Sequence, residues 1–194
     1  MSAKDTILQN IRANKPAEEV PLPEIDFEPM TFNDLTKQLG EMVQIAGGQL
    51  VVLSDKKDVA AKLKELYPDV SRVVCNVLDC NLSGDDGSGA ERPHEFDSVE
   101  LAVIQGEFAV AENGAVWVKD PSNCHRALYF LAENIVLVVD KAQIVPTMHQ
   151  AYKRIHFDEP GYGVFISGPS KTADIEQSLV IGAHGPKSGV VLLV

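Results

Sequence analysis

Apolar residues recur along the chain in two rhythms. Phe32, Leu35, Leu39, Val43 and Ala46 fall at helical spacing and predict a helix opened by Thr31 and stopped by Gly47-Gly48. Gln49–Leu53 is a short apolar run of the buried-strand kind. Val59, Leu63 and Leu66 then return to helical spacing behind a cap at Ser54 or Asp55, and Ser71–Cys75 reads as the next strand. This strand–helix–strand alternation is the pattern of a parallel sheet with crossover helices.

Residues 79–98 interrupt the rhythm. They carry Gly84, Gly87 and Gly89 and the acids Asp79, Asp85, Asp86, Glu91, Glu95 and Asp97 against Arg92, and read as a mobile surface loop. Val99–Ile104, Glu107–Ala111 and Ala115–Val118 predict three strands with tight turns at Gln105-Gly106 and Asn113-Gly114, the second a hairpin signal because both residues tolerate positive φ. Asp120-Pro121 predicts a cap and first turn of a helix of roughly ten residues, which would carry Cys124 and His125. Asn134–Asp140 is apolar enough to be a central strand covered on both faces. Pro146 opens a helix with Met148, Ala151, Tyr152 and Ile155 in register; Tyr162–Ser167 is a strand, Thr172–Ile181 a helix and Gly189–Val194 the last strand. The expected fold class is α/β, three-layer α/β/α with a mostly parallel sheet and a β-hairpin excursion, spanning residues 31–194. Residues 1–30 form an arm: a helix over 4–13 with the narrow stripe Ile7, Leu8 and Ile11, then an extended linker carrying Pro16, Pro21, Pro23 and Pro29 with five acids. Two readings of that helix are open, a frayed terminus and a dock for a partner subunit.

Composition narrows the partners. The chain has 194 residues, a formal net charge of −11, 45% hydrophobic and 23% charged residues, which places it among globular proteins. The acidic balance excludes nucleic acid and anionic membrane surfaces as partners, since both demand clustered Lys and Arg. Its longest aliphatic runs, Ile135–Val139 and Val190–Val194, fall far short of the ~20 residues a spanning helix needs. The start Met1-Ser2-Ala3-Lys4-Asp5 has no secretory pattern. Three cysteines without a C-x-x-C pair suit a reducing cytoplasm and cannot supply the four local thiolates of an iron–sulfur cluster. Most of the excess acid lies in the linker and the 79–98 loop, so an anionic ligand is compatible with the remainder.

The segment Ile166-Ser167-Gly168-Pro169-Ser170-Lys171-Thr172-Ala173-Asp174-Ile175-Glu176 reads as a strand end, a small-residue loop and a helix start. At the carboxyl end of a parallel sheet such a loop, with Pro169 among its candidate binding residues, suits phosphate or carboxylate: Gly168 admits close approach, Ser170 and Thr172 offer hydroxyls, and Lys171 offers charge. The alternative is a capped helix with Asp174 and Glu176 placed favourably in its first turn. Glu112-Asn113-Gly114 carries a second pair of readings. Glu112 exposed on a turn, with backbone donors at Asn113 and Gly114, is a candidate covalent nucleophile, or else the solvent-facing residue of a hairpin turn. His184 is a candidate general acid or base, or a hydrogen-bond anchor for the Gly168 loop. Gly185 and Lys187 beside it complete the candidate ligand-binding set. Trp117 is either a half-buried sheet residue or part of a partner surface. No histidine, cysteine and carboxylate spacing matches a metal-ligand set; His94, Glu95 and Asp97 read as solvated, and His149 and His156 fall off the apolar stripe of their helix.

Ile166–Glu176, followed by Val180-Ile181-Gly182-Ala183-His184-Gly185-Pro186-Lys187 and the terminal Val190–Val194 strand, resembles the C-terminal signature of the LUD-domain family. Ala109-Val110-Ala111-Glu112-Asn113-Gly114-Ala115-Val116 resembles a second motif of that family, with Asn113 and Ala115 where threonines are common. The resemblance implies a fold similar to the ribose-phosphate isomerase and CoA-transferase group. It also implies a place in a system that oxidises L-lactate to pyruvate. There this chain would be the cluster-free subunit, binding no cofactor of its own, with iron–sulfur clusters in companion proteins. Glu112-Asn113-Gly114 is similar to the nucleophile turn of CoA transferases, which keeps two alternatives in view: a stand-alone enzyme acting on a small carboxylate, acyl-CoA or sugar phosphate, and a non-catalytic assembly or regulatory module.

Overall fold

Successive residues of an extended chain point to opposite sides, and every residue from Ile135 to Val139 is apolar, so this segment requires cover on both faces. The computed structural model supplies it. The structure describes residues 2–15, 21, 28, 30–79, 82, 85–90, 92–119, 125–156, 161–175 and 178–194, with the side chains of 173–175 and 178 left aside. Its helices are α1 (Ala3–Ala13), α2 (Leu35–Ile45), α3 (Val59–Leu66), α4 (Leu128–Leu131) and α5 (Met148–Arg154). The strands are β1 (Gln49–Val52), β2 (Val73–Cys75), β3 (Leu101–Gln105), β4 (Phe108–Val110), β5 (Ala115–Lys119) and β6 (Asn134–Val139). They continue as β7 (Ile144–Val145), β8 (Gly163–Ile166), β9 (Lys171–Ile175), β10 (Ser178–Ile181) and β11 (Ser188–Leu193).

The central sheet runs β1-β11-β6-β3-β2, parallel throughout, with β6 in the middle. Ile135, Leu137 and Val139 share one face with Ala102, Ile104, Val191 and Leu193; there they meet Leu39 and Val43 of α2, Leu128 and Tyr129 of α4, and a second sheet. Val136 and Val138 share the other face with Leu101, Val103, Val190 and Leu192, under Val59 and Leu63 of α3. The α/β class with a parallel central sheet and flanking helices is therefore as expected. The hairpin excursion is larger than a hairpin: β4 and β5 form the middle of a four-stranded sheet ordered β7-β4-β5-β8. Its outer face buries Phe108, Val110, Trp117 and Val145 with Ala151 of α5. Trp117 is thus core, its ring centroid 4.7 Å from that of Phe165.

Gln105-Gly106 crosses from one sheet to the other instead of turning a hairpin. A Cβ on Gly106 would stand 2.4 Å from Val116 Cγ1 and 2.8 Å from Val139 Cγ2, so only glycine passes between the sheets.

Several local expectations give way to stronger local chemistry. α2 begins at Leu35, not Thr31, because the Asp34 carboxylate caps the Lys37 amide at 3.0 Å; Phe32 still packs on the core. The 79–98 stretch is tied down in two places: Phe96 is buried in a short 3-10 turn over Pro93–Phe96, and the Asp85 carbonyl accepts from the Cys75 amide at 2.9 Å. Asn113-Gly114 is the end of a four-residue loop, closed by a hydrogen bond from the Gly114 amide to the Val110 carbonyl; Gly114 has φ +70° and Asn113 does not enter that region. The helix expected after Pro121 is only α4. Residues 120–124 lie outside the described ones, and His125 precedes the helix, its Nδ1 accepting from the Ala127 amide at 3.1 Å. Tyr152, expected on the buried stripe of α5, is exposed. Thr172–Ile181 is an antiparallel hairpin, β9 with β10, and not a helix. β-branched Thr172, Ile175, Val180 and Ile181 favour extended backbone, and both ends are pinned through Ser170. Among the described residues no helix is long and apolar enough to cross a membrane. Residues 16–20, 22–27 and 29 of the expected linker lie outside the description.

Candidate functional site

The last four carbonyls of a helix lack intrahelical partners, and this chain satisfies one of them at α2 with a lysine. Lys171 Nζ donates to the Ala46 carbonyl at 2.8 Å and to the Ser167 carbonyl at 3.3 Å, folding the loop after β8 against the α2 C-terminus. Gly168 makes this approach feasible: it has φ +69°, and a Cβ there would lie 2.3 Å from the Ala46 carbonyl oxygen. A Cβ on Gly189 would sit 3.0 Å from the Gly168 carbonyl carbon, so the loop also crosses the start of β11.

The loop therefore lies at the amino end of the parallel sheet, not the carboxyl end expected from sequence. β8 belongs to the second sheet and runs antiparallel to β5, which delivers its end to the opposite side. With β9 in place of a helix there is also no helix N-terminus at Thr172 to attract an anion. Lys171 is committed to α2. Thr172 pairs with Val180 in the hairpin; Asp174 lies in β9 with its side chain outside the description, and Glu176 is outside it altogether.

The chain returns from β10 through Gly182–Lys187 and closes on the loop. The Ser170 amide donates to the Pro186 carbonyl at 2.9 Å, the Gly182 amide to the Ser170 carbonyl at 2.9 Å, and Ser170 Oγ to the His184 carbonyl at 3.4 Å. Gly185, at φ +144°, would place a Cβ 3.1 Å from Ser170 Cβ. These contacts frame a cavity of about 260 Å³ whose polar edge is Ser167, Ser170 and His184, while Tyr129, Ile135 and Val164 contribute apolar wall. Gly168 and Pro169 line it as well. Its size suits a small molecule. Lys187 stands outside, paired with Glu133 at 2.7 Å; both are more than half exposed, so the pair contributes little to stability.

The 111–114 loop meets this assembly from the second sheet. Ser167 Oγ donates to the Asn113 carbonyl at 3.0 Å, Asn113 Oδ1 accepts from the Ala115 amide at 3.1 Å, and a Cβ on Gly114 would stand 2.8 Å from the Val43 amide nitrogen. Asn113, Gly114 and the Gly168 loop are thus brought together on the C-terminal half of α2. Glu112 turns to α5 instead. Its Oε2 accepts from the Met148 amide at 2.7 Å while its own amide donates to the Pro146 carbonyl at 3.0 Å, so it shares the capping of α5 with the Thr147 hydroxyl.

Sequence reasoning missed Tyr129, Phe130, Ile135, Val164 and Pro186 as cavity lining, and Ser167 as the link between the two motifs. Ser167 had one visible signal, a hydroxyl at a strand end beside a glycine. The apolar lining had none beyond ordinary core composition. Among the described residues no group of three or more His, Cys, Asp or Glu side chains gathers.

The chain has relatives among known proteins. The chain is similar to lactate utilization protein C of Geobacillus thermodenitrificans, 28% identical over 203 aligned positions that cover 99% of this chain and 80% of that one. It is 36% identical over 115 positions to lactate utilization protein C of Bacillus pumilus, covering 56% of this chain and 48% of the other. A crystal structure of a DUF162 family protein from Deinococcus radiodurans shares the fold, with a TM-score of 0.64 at 19% identity over 86% of this chain and 99% of that one. The model of the LUD domain matches residues 78–194, a span that holds both the 111–114 loop and the whole cavity segment from Ser167 to Lys187. The chain belongs to the LUD-domain family.

Proposed function

We propose that this chain serves L-lactate utilisation in the cytoplasm, as a cluster-free subunit that works with iron–sulfur partner proteins in oxidising L-lactate to pyruvate. The observation that carries the reading is the alignment of a lactate utilization protein C along 99% of the chain. Cysteine chemistry is consistent with it: Cys75, Cys80 and Cys124 are too few for a four-thiolate cluster, so the two electrons leaving lactate pass to clusters held elsewhere. The cavity beside Ser170 and His184 is the place for a small carboxylate, which would set its polar end against the hydroxyl and imidazole.

The test is a clean deletion of the gene, followed by growth on L-lactate and capture of a tagged copy from lactate-grown cells. Loss of growth, restored by the tagged copy, with iron and acid-labile sulfide in the captured proteins, is the expected result. Normal growth of the deletion strain refutes the reading.

A further inference from the structure

A carbonyl oxygen can only accept, so a side-chain amide that faces one must present its nitrogen. Asn134, the first residue of β6, faces the Glu100 carbonyl, and its Nδ2 donates there at 2.8 Å. That contact orients the whole side chain. Asn134 Oδ1 is turned to Ser188, the first residue of β11, whose hydroxyl donates to it at 2.7 Å. A hydroxyl has one proton, and this one is spent on Asn134. The Tyr67 hydroxyl, 2.9 Å from Ser188 Oγ, is therefore the donor in that pair. Burial raises the Tyr67 phenol above its ordinary 10.0, outweighing the Ser188 contact, so it carries its proton at neutral pH. The result is a one-way chain from Tyr67 to Ser188 to Asn134 to the Glu100 carbonyl. It ties the C-cap of α3 to the starts of β11 and β6 and to the residue before β3.

The neighbours of this chain in sequence line the cavity. Ile135 follows Asn134, and Pro186 stands two residues before Ser188. The Pro186 carbonyl is the one that accepts the Ser170 amide, and Gly189, next after Ser188, makes the close approach to Gly168. Between the two ends of the 182–187 segment little is fixed by side chains: Gly182 has φ +72°, Gly185 has φ +144°, and Pro186 has no amide to give. At the β11 end the Lys187 amide donates to the Glu133 carbonyl at 2.6 Å, and the Lys187–Glu133 ion pair is more than half exposed. Ser188 is thus the half-buried side chain that anchors this limb of the cavity frame.

We infer that Ser188, held between Tyr67 and Asn134, is a positioning residue for the cavity. It sets where β11 begins, and with it the Pro186 carbonyl that holds Ser170. The inference rests on the reading of that cavity as the site of a small carboxylate. Without the hydroxyl, Asn134 and Tyr67 lose their common partner and the 182–187 segment is loosened at its β11 end. The central sheet keeps its two apolar faces, so the loss is local.

Hydrogen exchange of the full chain, joined to calorimetric titration with L-lactate and pyruvate, tests this. Ser188→Ala should speed exchange of the Ser170 and Gly182 amides about tenfold or more and leave the Glu112 amide, which donates to Pro146, unchanged. Ser188→Thr keeps the hydroxyl and should restore the wild-type rates. Affinity for the two acids should fall about tenfold in Ser188→Ala, and less in Tyr67→Phe, which leaves the Ser188–Asn134 bond in place. Adding Tyr67→Phe to Ser188→Ala should cost nothing further, because the phenol acts through Ser188. Unchanged exchange at Ser170 and Gly182 in Ser188→Ala overturns the inference; if that variant does not fold, unchanged exchange in Tyr67→Phe does so. Equal affinity in the wild type and Ser188→Ala overturns it as well, as does an additive double variant. If exchange quickens as stated but neither acid binds the wild type, the positioning of the cavity wall stands and the carboxylate reading of the cavity falls.

Discussion

The central sheet and the Ser167–Lys187 segment are built on opposite principles. β6 is held by side chains: Ile135, Leu137 and Val139 fill one core and Val136 and Val138 the other, all buried. The Ser167–Lys187 segment is held by backbone and end groups: a lysine on a helix carbonyl, an amide pair at Ser170, and glycines at close approaches. Apolar burial is non-directional and summed over area, so a central strand is defined by composition alone. Polar stitching depends on individual positions, so one atom in the wrong place undoes it. The region built for stability is thus the redundant one, and the region framing the cavity is the one without spares.

That contrast can be broken from either side. Leu137→Ala, in the middle of β6, should cost about 2–5 kcal/mol in urea denaturation, because it opens a void between the sheets that the neighbours cannot collapse into. Gly168→Ala should cost about 1–3 kcal/mol for one added methyl, since φ +69° is strained for alanine and the new carbon meets the Ala46 carbonyl. It should also release the Lys171 contact, visible as faster hydrogen exchange at the start of β9. Ser167→Ala removes the single hydroxyl that joins the two motifs and should cost about 0.5–1.5 kcal/mol. Glu112→Gln keeps an acceptor for the Met148 amide but loses the charge at the start of α5. The expected cost is about 0.3–1 kcal/mol. In the wild type, hydroxylamine trapping after incubation with acyl-CoA should find no adduct at Glu112, whose carboxylate is engaged by the Met148 amide.

The smallest effect is one of pH. Glu100 accepts from the Ser71 hydroxyl and amide and from the Arg72 amide, which holds its carboxyl below the ordinary value of 4.5. A depressed pKa contributes stability that is present above the unfolded value and is lost as pH falls through the folded one. The wild type should therefore lose slightly more stability than Glu100→Gln between about pH 5 and 3, and the two should run parallel above it.

What the sequence disclosed follows the same division. β6, β3 and β11 were legible because two-sided burial leaves a continuous apolar run, and α3 because Val59, Leu63 and Leu66 keep helical spacing. Thr172–Ile181 was not legible as a hairpin. Thr172, Ile175 and Val180 suit a helix stripe nearly as well as strand positions, and what decides between them is pinning of Ser170 by Pro186, 16 residues away in the chain. That error carried a second one, the placing of the Gly168 loop at the carboxyl end of the parallel sheet. A strand that ends beside a glycine loop says nothing about which sheet it joins. The Asn113 and Gly168 motifs were both visible as segments, but their meeting through Ser167 was not, because it depends on β5 pairing with β8.

Ligand binding at the cavity tests the account most directly. Melting temperatures should be measured with L-lactate, pyruvate, CoA, sugar phosphates and flavins, for the wild type and for Ser170→Trp, which fills the space beside His184. Binding to the folded state raises the melting temperature by mass action. L-lactate or pyruvate should raise it in the wild type in proportion to the logarithm of concentration, and should fail to do so in Ser170→Trp. If neither acid shifts the wild type, or if the shift persists with the cavity filled, the cavity is not the site.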